Sequence, residues 1–322
     1  PMLNISQFFP VRFLTKKWFV KTAQSVSVFL FLLTVTTGLI GKDNSFLNFN
    51  MTFFWIILML GLTYTTALFG NIYVVLNPRK ILTYWGESGI APYPKKLGYF
   101  PALLFYFLFI YVELFMYTTP FKLSLIILQY ILLTIIGVFV WGKSNWFYYA
   151  DFFSVFFSII GKIAPVEYKN GNVYLRPPFV GLLKEKPEHI SLLIFIVFML
   201  SSTAYDGFSE TLPFVSLYRG IYSYQTFQTF SLLLSPLLFL LLYVVCIALA
   251  KIITRSKQST KELCLTFAFS LVPIAFVYHV AHVVFCSCYA DYLPIFEFVA
   301  VEEVDLFYCN VDFFFLSQIL AV

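Results

Sequence analysis

Apolar residues gather in seven long runs along the chain: Ser25 to Gly41, Phe53 to Leu76, Tyr99 to Thr118, Leu123 to Trp141, Ile190 to Ala204, Phe230 to Ala250 and Cys264 to Phe285. A helix that crosses a bilayer needs roughly 20 consecutive, mostly apolar residues, so each run predicts a membrane span. Pro78 follows the second run, Pro120 separates the third from the fourth, and Pro187 precedes the fifth, which is where helices start and stop. Recurrence of the pattern along the chain excludes a lone signal peptide as its cause. An eighth run, Trp146 to Ala164, is also long enough to cross. It carries Asp151, Ser154, Ser158 and Lys162 at spacings of three and four, which draws one polar stripe down a helix.

The basic residues decide how that eighth run is read. If it does not cross, 18 of the 21 Lys and Arg residues face one side, and only Lys42, Lys122 and Arg219 face the other. If it crosses, every later loop flips and the split becomes roughly even. Cytoplasmic loops carry the excess of Lys and Arg. The expectation is therefore a cytoplasmic N-terminus, seven spans, and a re-entrant or interfacial helix at 146–164. Leu306 to Val322 is a further apolar segment, short and interrupted by Asp312. With no repeat of fixed period and no Gly/Ser or Pro linker, residues 1–322 read as a single membrane domain. The predicted fold is all-α, a polytopic bundle in the plasma membrane whose surroundings are the lipid bilayer.

Composition agrees. Hydrophobic residues make up 60% of the chain, charged residues 11%, and the mean hydropathy is +0.85, more apolar surface than one soluble core can hide. The net charge of +5 would suit a nucleic-acid partner if it were clustered, but it lies in loops between apolar runs and sets orientation instead. No nucleic-acid partner is expected. The five cysteines, Cys246, Cys264, Cys286, Cys288 and Cys309, are too few for a disulfide framework. No phosphate-binding Gly loop, dinucleotide-binding Gly pattern or His-Glu-x-x-His occurs, which argues against a nucleotide-driven pump and a zincin-type protease.

Ionisable groups at membrane depth cost about 2.5–3.5 kcal/mol on insertion scales and mark function by default. Glu113 lies roughly 21 Å into the third run at about 1.5 Å per residue. His279 and His282 reach a similar depth in the seventh, and Asp206 closes the fifth within Tyr205-Asp206-Gly207-Phe208-Ser209. His279, His282 and Cys286 follow one another at three and four residues, on one helical face. Imidazole, carboxylate and thiolate together suit a divalent metal, Zn or Cu. In this reading Asp206 and His282 are ligands, Cys286 a further one, His279 a ligand or acid/base group and Glu113 a base. The plainer reading is that the same groups hydrogen-bond between helices. Pro273 interrupts the seventh run ahead of His279 and frees the carbonyl of Phe269; it either kinks the helix and opens a cavity or is tolerated as an ordinary proline of a membrane helix.

Several stretches occur in an order that resembles a known family. They are Asn77-Pro78, Tyr93-Pro94-Lys95-Lys96-Leu97-Gly98, Phe152 to Pro165, Leu175-Arg176-Pro177-Pro178, Tyr205 to Ser209, and Ser270 to Ala275 continuing to Ala281-His282. Over about residues 70–283 the chain resembles the fenitrothion hydrolase-like family of bacterial integral membrane proteins. From Val283 it departs from that family's ending, where further membrane helices are expected. The resemblance implies a multi-pass plasma-membrane protein that hydrolyses organophosphate or related esters, with Asp206 and His282 on the family's polar motif positions. Two other functions compete with a metal-dependent hydrolase. One is a transporter or channel in which the same residues line an ion path; the other is a structural or accessory unit working with other membrane subunits.

Overall fold

The computed structural model describes residues 2–281 except 46, 170–171, 210, 212–213, 215 and 218–222. Six described helices are long and apolar enough to cross a membrane: α2 Lys17–Ile40, α3 Phe49–Phe69, α7 Pro120–Trp141, α10 Ile190–Ser209, α11 Tyr224–Thr254 and α12 Thr260–Ala281. A shorter apolar helix, α6 Phe100–Phe115, fills the third predicted run, so each of the seven runs finds its helix. The chain is an all-α membrane-type bundle. Short helices join these: α1 Phe9–Leu14, α4 Tyr73–Leu76, α5 Pro78–Leu82, α8 Phe152–Ile160 and α9 Val180–Leu183.

Local chemistry sets the helix ends. Asn48 starts α3 by accepting the Asn50 amide at 3.0 Å, and Thr119 caps α7 with Pro120 in its first turn. The second apolar run extends to Leu76 in sequence, but its helix stops at Phe69. Gly70 takes φ +87, and a Cβ there would also come within 2.8 Å of the Val166 carbonyl oxygen, so only glycine allows the turn. The eighth run is not one helix. A π-helical stretch Trp146–Ala150 ends at Asp151, whose extended backbone (φ −78, ψ 108) breaks the path before α8 begins.

Three short strands add a sheet that sequence periodicity did not indicate: β1 Leu3–Asn4, β2 Val166–Lys169 and β3 Asn172–Leu175, in antiparallel order β1-β3-β2. At two to four residues these are too short for an alternating pattern to stand out.

The contacts divide the chain into two compact units: Pro1–Phe109 with Tyr117–Leu192, and Ile110–Met116 with the chain from Leu193 onward. In the first unit, α2 and α7 meet at a polar junction, where the Asn50 side-chain amide donates to the Thr34 carbonyl and to Ser124 Oγ, both at 2.8 Å. An aromatic core of Phe54, Tyr73, Phe152, Phe153 and Phe157 packs around α8. In the second unit α10 is two-thirds buried, whereas α11 is 6% buried along its apolar window, the signature of a helix whose leucines face lipid.

Candidate functional site

Glu113, Asp206 and His279 stand on three different apolar helices, α6, α10 and α12, and all three belong to the second unit. Each is half-buried. Tyr205, beside Asp206, is the anchor of its motif: buried, edge-on to Phe115 and Phe214, with its hydroxyl donating to the Gln228 carbonyl at 3.0 Å. Ser209 Oγ bonds the Asp206 carbonyl at 2.9 Å, closing the last turn of α10. Ahead of His279, the chain tightens into a 3-10 turn at Ala268–Ser270 just before Pro273, a common way for a helix to absorb a missing donor. Among the described residues, no three His, Cys, Asp or Glu side chains gather as a metal-binding group. His282 and Cys286, two of the predicted ligands, lie outside the described residues.

Among the described residues the densest polar cluster is in the first unit, around two residues that the sequence assigned to other tasks. Arg79 entered as one of the orientation charges and Asp151 as part of a polar stripe. They form a buried ion pair, Nη1 to Oδ1 at 3.0 Å, with side chains 5% and 0% exposed. Tyr130 donates its hydroxyl to Asp151 Oδ1 at 2.7 Å, and Ser154 donates both Oγ (2.6 Å) and its amide (3.0 Å) to Oδ2. Arg79 Nη2 donates to the Tyr73 hydroxyl at 2.8 Å, and its guanidinium lies between the rings of Tyr130 and Phe153, 4.4 and 4.7 Å from their centroids. Burial works against the Arg79 charge, but Asp151, Tyr73 and Tyr130 together outweigh it and raise its pKa, so the guanidinium stays charged. Asn77 completes the cluster by capping α5 with Oδ1 and donating to Ser154 Oγ at 3.2 Å. The signal for this cluster was present in Asn77-Pro78-Arg79 and Asp151-x-x-Ser154, both helix-start patterns.

A second charged group holds the other end of α8. Arg176 donates to the carbonyls of Ala164 (3.0 Å), Lys162 (3.2 Å) and Gly161 (3.4 Å), acceptors left over where the helix ends. Its Nη1 bonds Glu167 at 2.7 Å, and Lys184 bonds the same carboxylate oxygen at 2.6 Å. Partial burial opposes the Glu167 charge, but Lys184 and Arg176 together hold its pKa below the usual glutamate value. Lys162 pairs with Glu185 on the exposed side.

The Tyr93–Gly98 stretch is likewise architectural. Tyr93 donates its hydroxyl to the Gly98 carbonyl at 2.6 Å, and burial, followed by Tyr149, pushes that phenol up to about 12, which keeps it a donor. Gly98 sits at φ +50 against the His189 ring and Ser191, where a side chain would collide. Ser191 Oγ meets His189 Nδ1 at 2.7 Å and accepts the Tyr99 amide at 2.7 Å; it is fully buried, so this Ser–His contact tethers α10 to the start of α6 and is closed to a substrate. Comparison with protein-family models, with curated proteins and with solved structures returns no match.

Proposed function

We propose that this membrane protein is a metal-dependent hydrolase of organophosphate or related esters, lodged in the plasma membrane with its N-terminus in the cytoplasm, and that the chemistry resides in the second unit. The observation that carries this reading is the grouping of Ile110–Met116, and with it Glu113, in the same unit as Asp206 and His279. Three half-buried ionisable side chains from three apolar helices are costly to keep in lipid and are best explained by use. In this reading Asp206 and His282 hold Zn or Cu, with His279 and Cys286 available as further ligands. The metal would lower the pKa of a bound water, and Glu113 would take up its proton. The resemblance over residues 70–283 supplies the substrate class.

The test is metal analysis of the purified full chain, together with turnover of a phosphotriester, for the parent protein, His282→Ala and Asp206→Asn. Both variants should lose metal and turnover while remaining folded and membrane-inserted, because a lost interhelical hydrogen bond costs only about 0.6 kcal/mol on average. If His282→Ala lowers thermal stability but leaves metal content and turnover per folded molecule unchanged, the residue is structural and the hydrolase reading falls. Orientation has its own test. A cysteine placed at Asn172 in a cysteine-free background should resist labelling from outside intact cells, and labelling there would reverse the topology.

A further inference from the structure

We propose that the elbow from Phe8 to Lys21 is a binding surface for the headgroups of anionic phospholipids. Within these residues α1 and α2 meet at Thr15 and Lys16. Thr15 ends α1 by donating Oγ1 to the Val11 carbonyl at 2.9 Å, and Lys16, in extended conformation, precedes the first turn of α2. Arg12, Lys16, Lys17 and Lys21 are all exposed. Arg12 and Lys16 are four residues apart, as are Lys17 and Lys21, so two basic pairs flank the bend. No Asp or Glu occurs in the chain before Asp43, and the cluster has no acidic neighbour in sequence.

Aromatic side chains lie among these charges. Trp18 is 55% exposed and Phe8 62%, yet Phe13, Trp18 and Phe19 pack edge-on or tilted against one another, with centroids 5.3 to 5.9 Å apart. Exposed rings organised into a cluster next to basic residues are what the headgroup level of a bilayer accommodates: rings and leucines at the acyl boundary, ammonium and guanidinium groups among the phosphates. The height is set by α2. At about 1.5 Å per residue its 24 residues run roughly 36 Å, more than the roughly 30 Å hydrocarbon core, which leaves its first turn in the headgroup layer.

The elbow is also fastened to the fold. β1 pairs with β3 just before it, the Ile5 amide donates to the Val173 carbonyl at 2.9 Å, and Ser6 Oγ accepts the Val173 amide at 2.8 Å. The basic pairs are therefore presented by a segment held at both ends, and little ordering is required when they meet an anionic surface. Four cations within ten residues beside a membrane helix match the density of known electrostatic lipid anchors.

The experiment compares full-length protein in nanodiscs of phosphatidylcholine with and without phosphatidylglycerol, counting retained lipids by native mass spectrometry. The parent protein should retain phosphatidylglycerol in preference, and Arg12→Gln/Lys16→Gln/Lys17→Gln/Lys21→Gln should lose that preference, by about fivefold per charge removed. Arg12→Gln/Lys16→Gln, which leaves α2 untouched, should lose about half of the logarithmic effect and guards against a failure of insertion. Lys95→Gln/Lys96→Gln, two other exposed lysines, should change nothing. An equal loss in that control, or an unchanged preference in the quadruple variant with normal helicity, would overturn the proposal. Displacement of the lipid by millimolar inorganic phosphate would overturn it as well, by showing a site that reads free phosphate and not a lipid surface.

Discussion

Helix α8 is held by charge at both ends, and the two ends differ in how much water they see. At its start Asp151 and Arg79 are buried, 0% and 5% exposed, and Asp151 also holds Tyr130 and Ser154. At its end Arg176 is nearly as buried, but its partner Glu167 is 22% exposed, and beyond them Lys162 meets a Glu185 that is 69% exposed. Cation–carboxylate pairing thus runs from a dry to a wet setting around one helix. Removing one partner of a dry pair strands an unpaired charge, whereas water replaces the partner of a wet one.

The largest effect is therefore expected at Asp151. Asp151→Ala should destabilise the chain by about 3–5 kcal/mol in denaturant titrations of detergent-solubilised protein. Asp151→Asn separates two roles: asparagine is as good a helix cap as aspartate but leaves Arg79 uncompensated. It should lose most of the same stability. An Asn variant close to the parent would mean that capping alone is at stake, and the contrast between the two ends of α8 would then be one of geometry and not of burial.

Glu167 comes next. Glu167→Gln leaves Arg176 and Lys184 with a neutral acceptor, and the expected cost is about 1.5–3 kcal/mol, the range for hydrogen bonds to charged groups. Its pH dependence has a definite sign. The folded pKa lies below 4.5, so the stabilisation is complete above that value and is lost as pH falls through the folded one. The stability gap between parent and Glu167→Gln should be constant at neutral pH and shrink as pH falls below about 4.5. A gap that persists unchanged to acid pH would show that Glu167 acts by packing.

The apolar runs made the bundle legible, because a stretch of some twenty apolar residues has few alternatives to crossing a membrane. The same evenness hid the boundaries. In Phe53 to Leu76 nothing in the hydropathy marks Gly70, whose positive φ ends the helix eight residues before Pro78, the stop that the sequence offers. The polar stripe of Trp146 to Ala164 shows the limit for site residues. Asp151, Ser154, Ser158 and Lys162 share a spacing but not a fate: the first two enter the buried cluster, Ser158 is exposed, and Lys162 lies past the end of α8. Spacing says which residues share a face. What that face meets depends on Arg79, 72 residues earlier in the chain, and on Arg176, which no local pattern connects to it. In the second unit Glu113 and His279 stand out in the sequence because their runs are otherwise almost free of charge, and Asp206 because it closely follows such a run.

The smallest effect is expected at the wet extreme, and it is the one that makes the comparison quantitative. The Lys162–Glu185 pair is 23% and 69% exposed, and Coulombic gain between such groups is largely offset by hydration and by the entropy of holding two long side chains. Glu185 has a lowered pKa through its hydrogen bond and attraction to Lys162, but at this exposure solvent screening discounts most of that as stability. Lys162→Ala should cost less than about 1 kcal/mol, and the backbone carbonyl of residue 162 remains in place for Arg176. Raising the salt to about 0.5 M should erase even this difference, because the screening length then falls below about 8 Å, while leaving the effect of Asp151→Ala nearly intact. If Lys162→Ala proved as damaging as Asp151→Ala, and as insensitive to salt, water would not be replacing the lost partner, and the dry-to-wet gradient along α8 would have no energetic meaning.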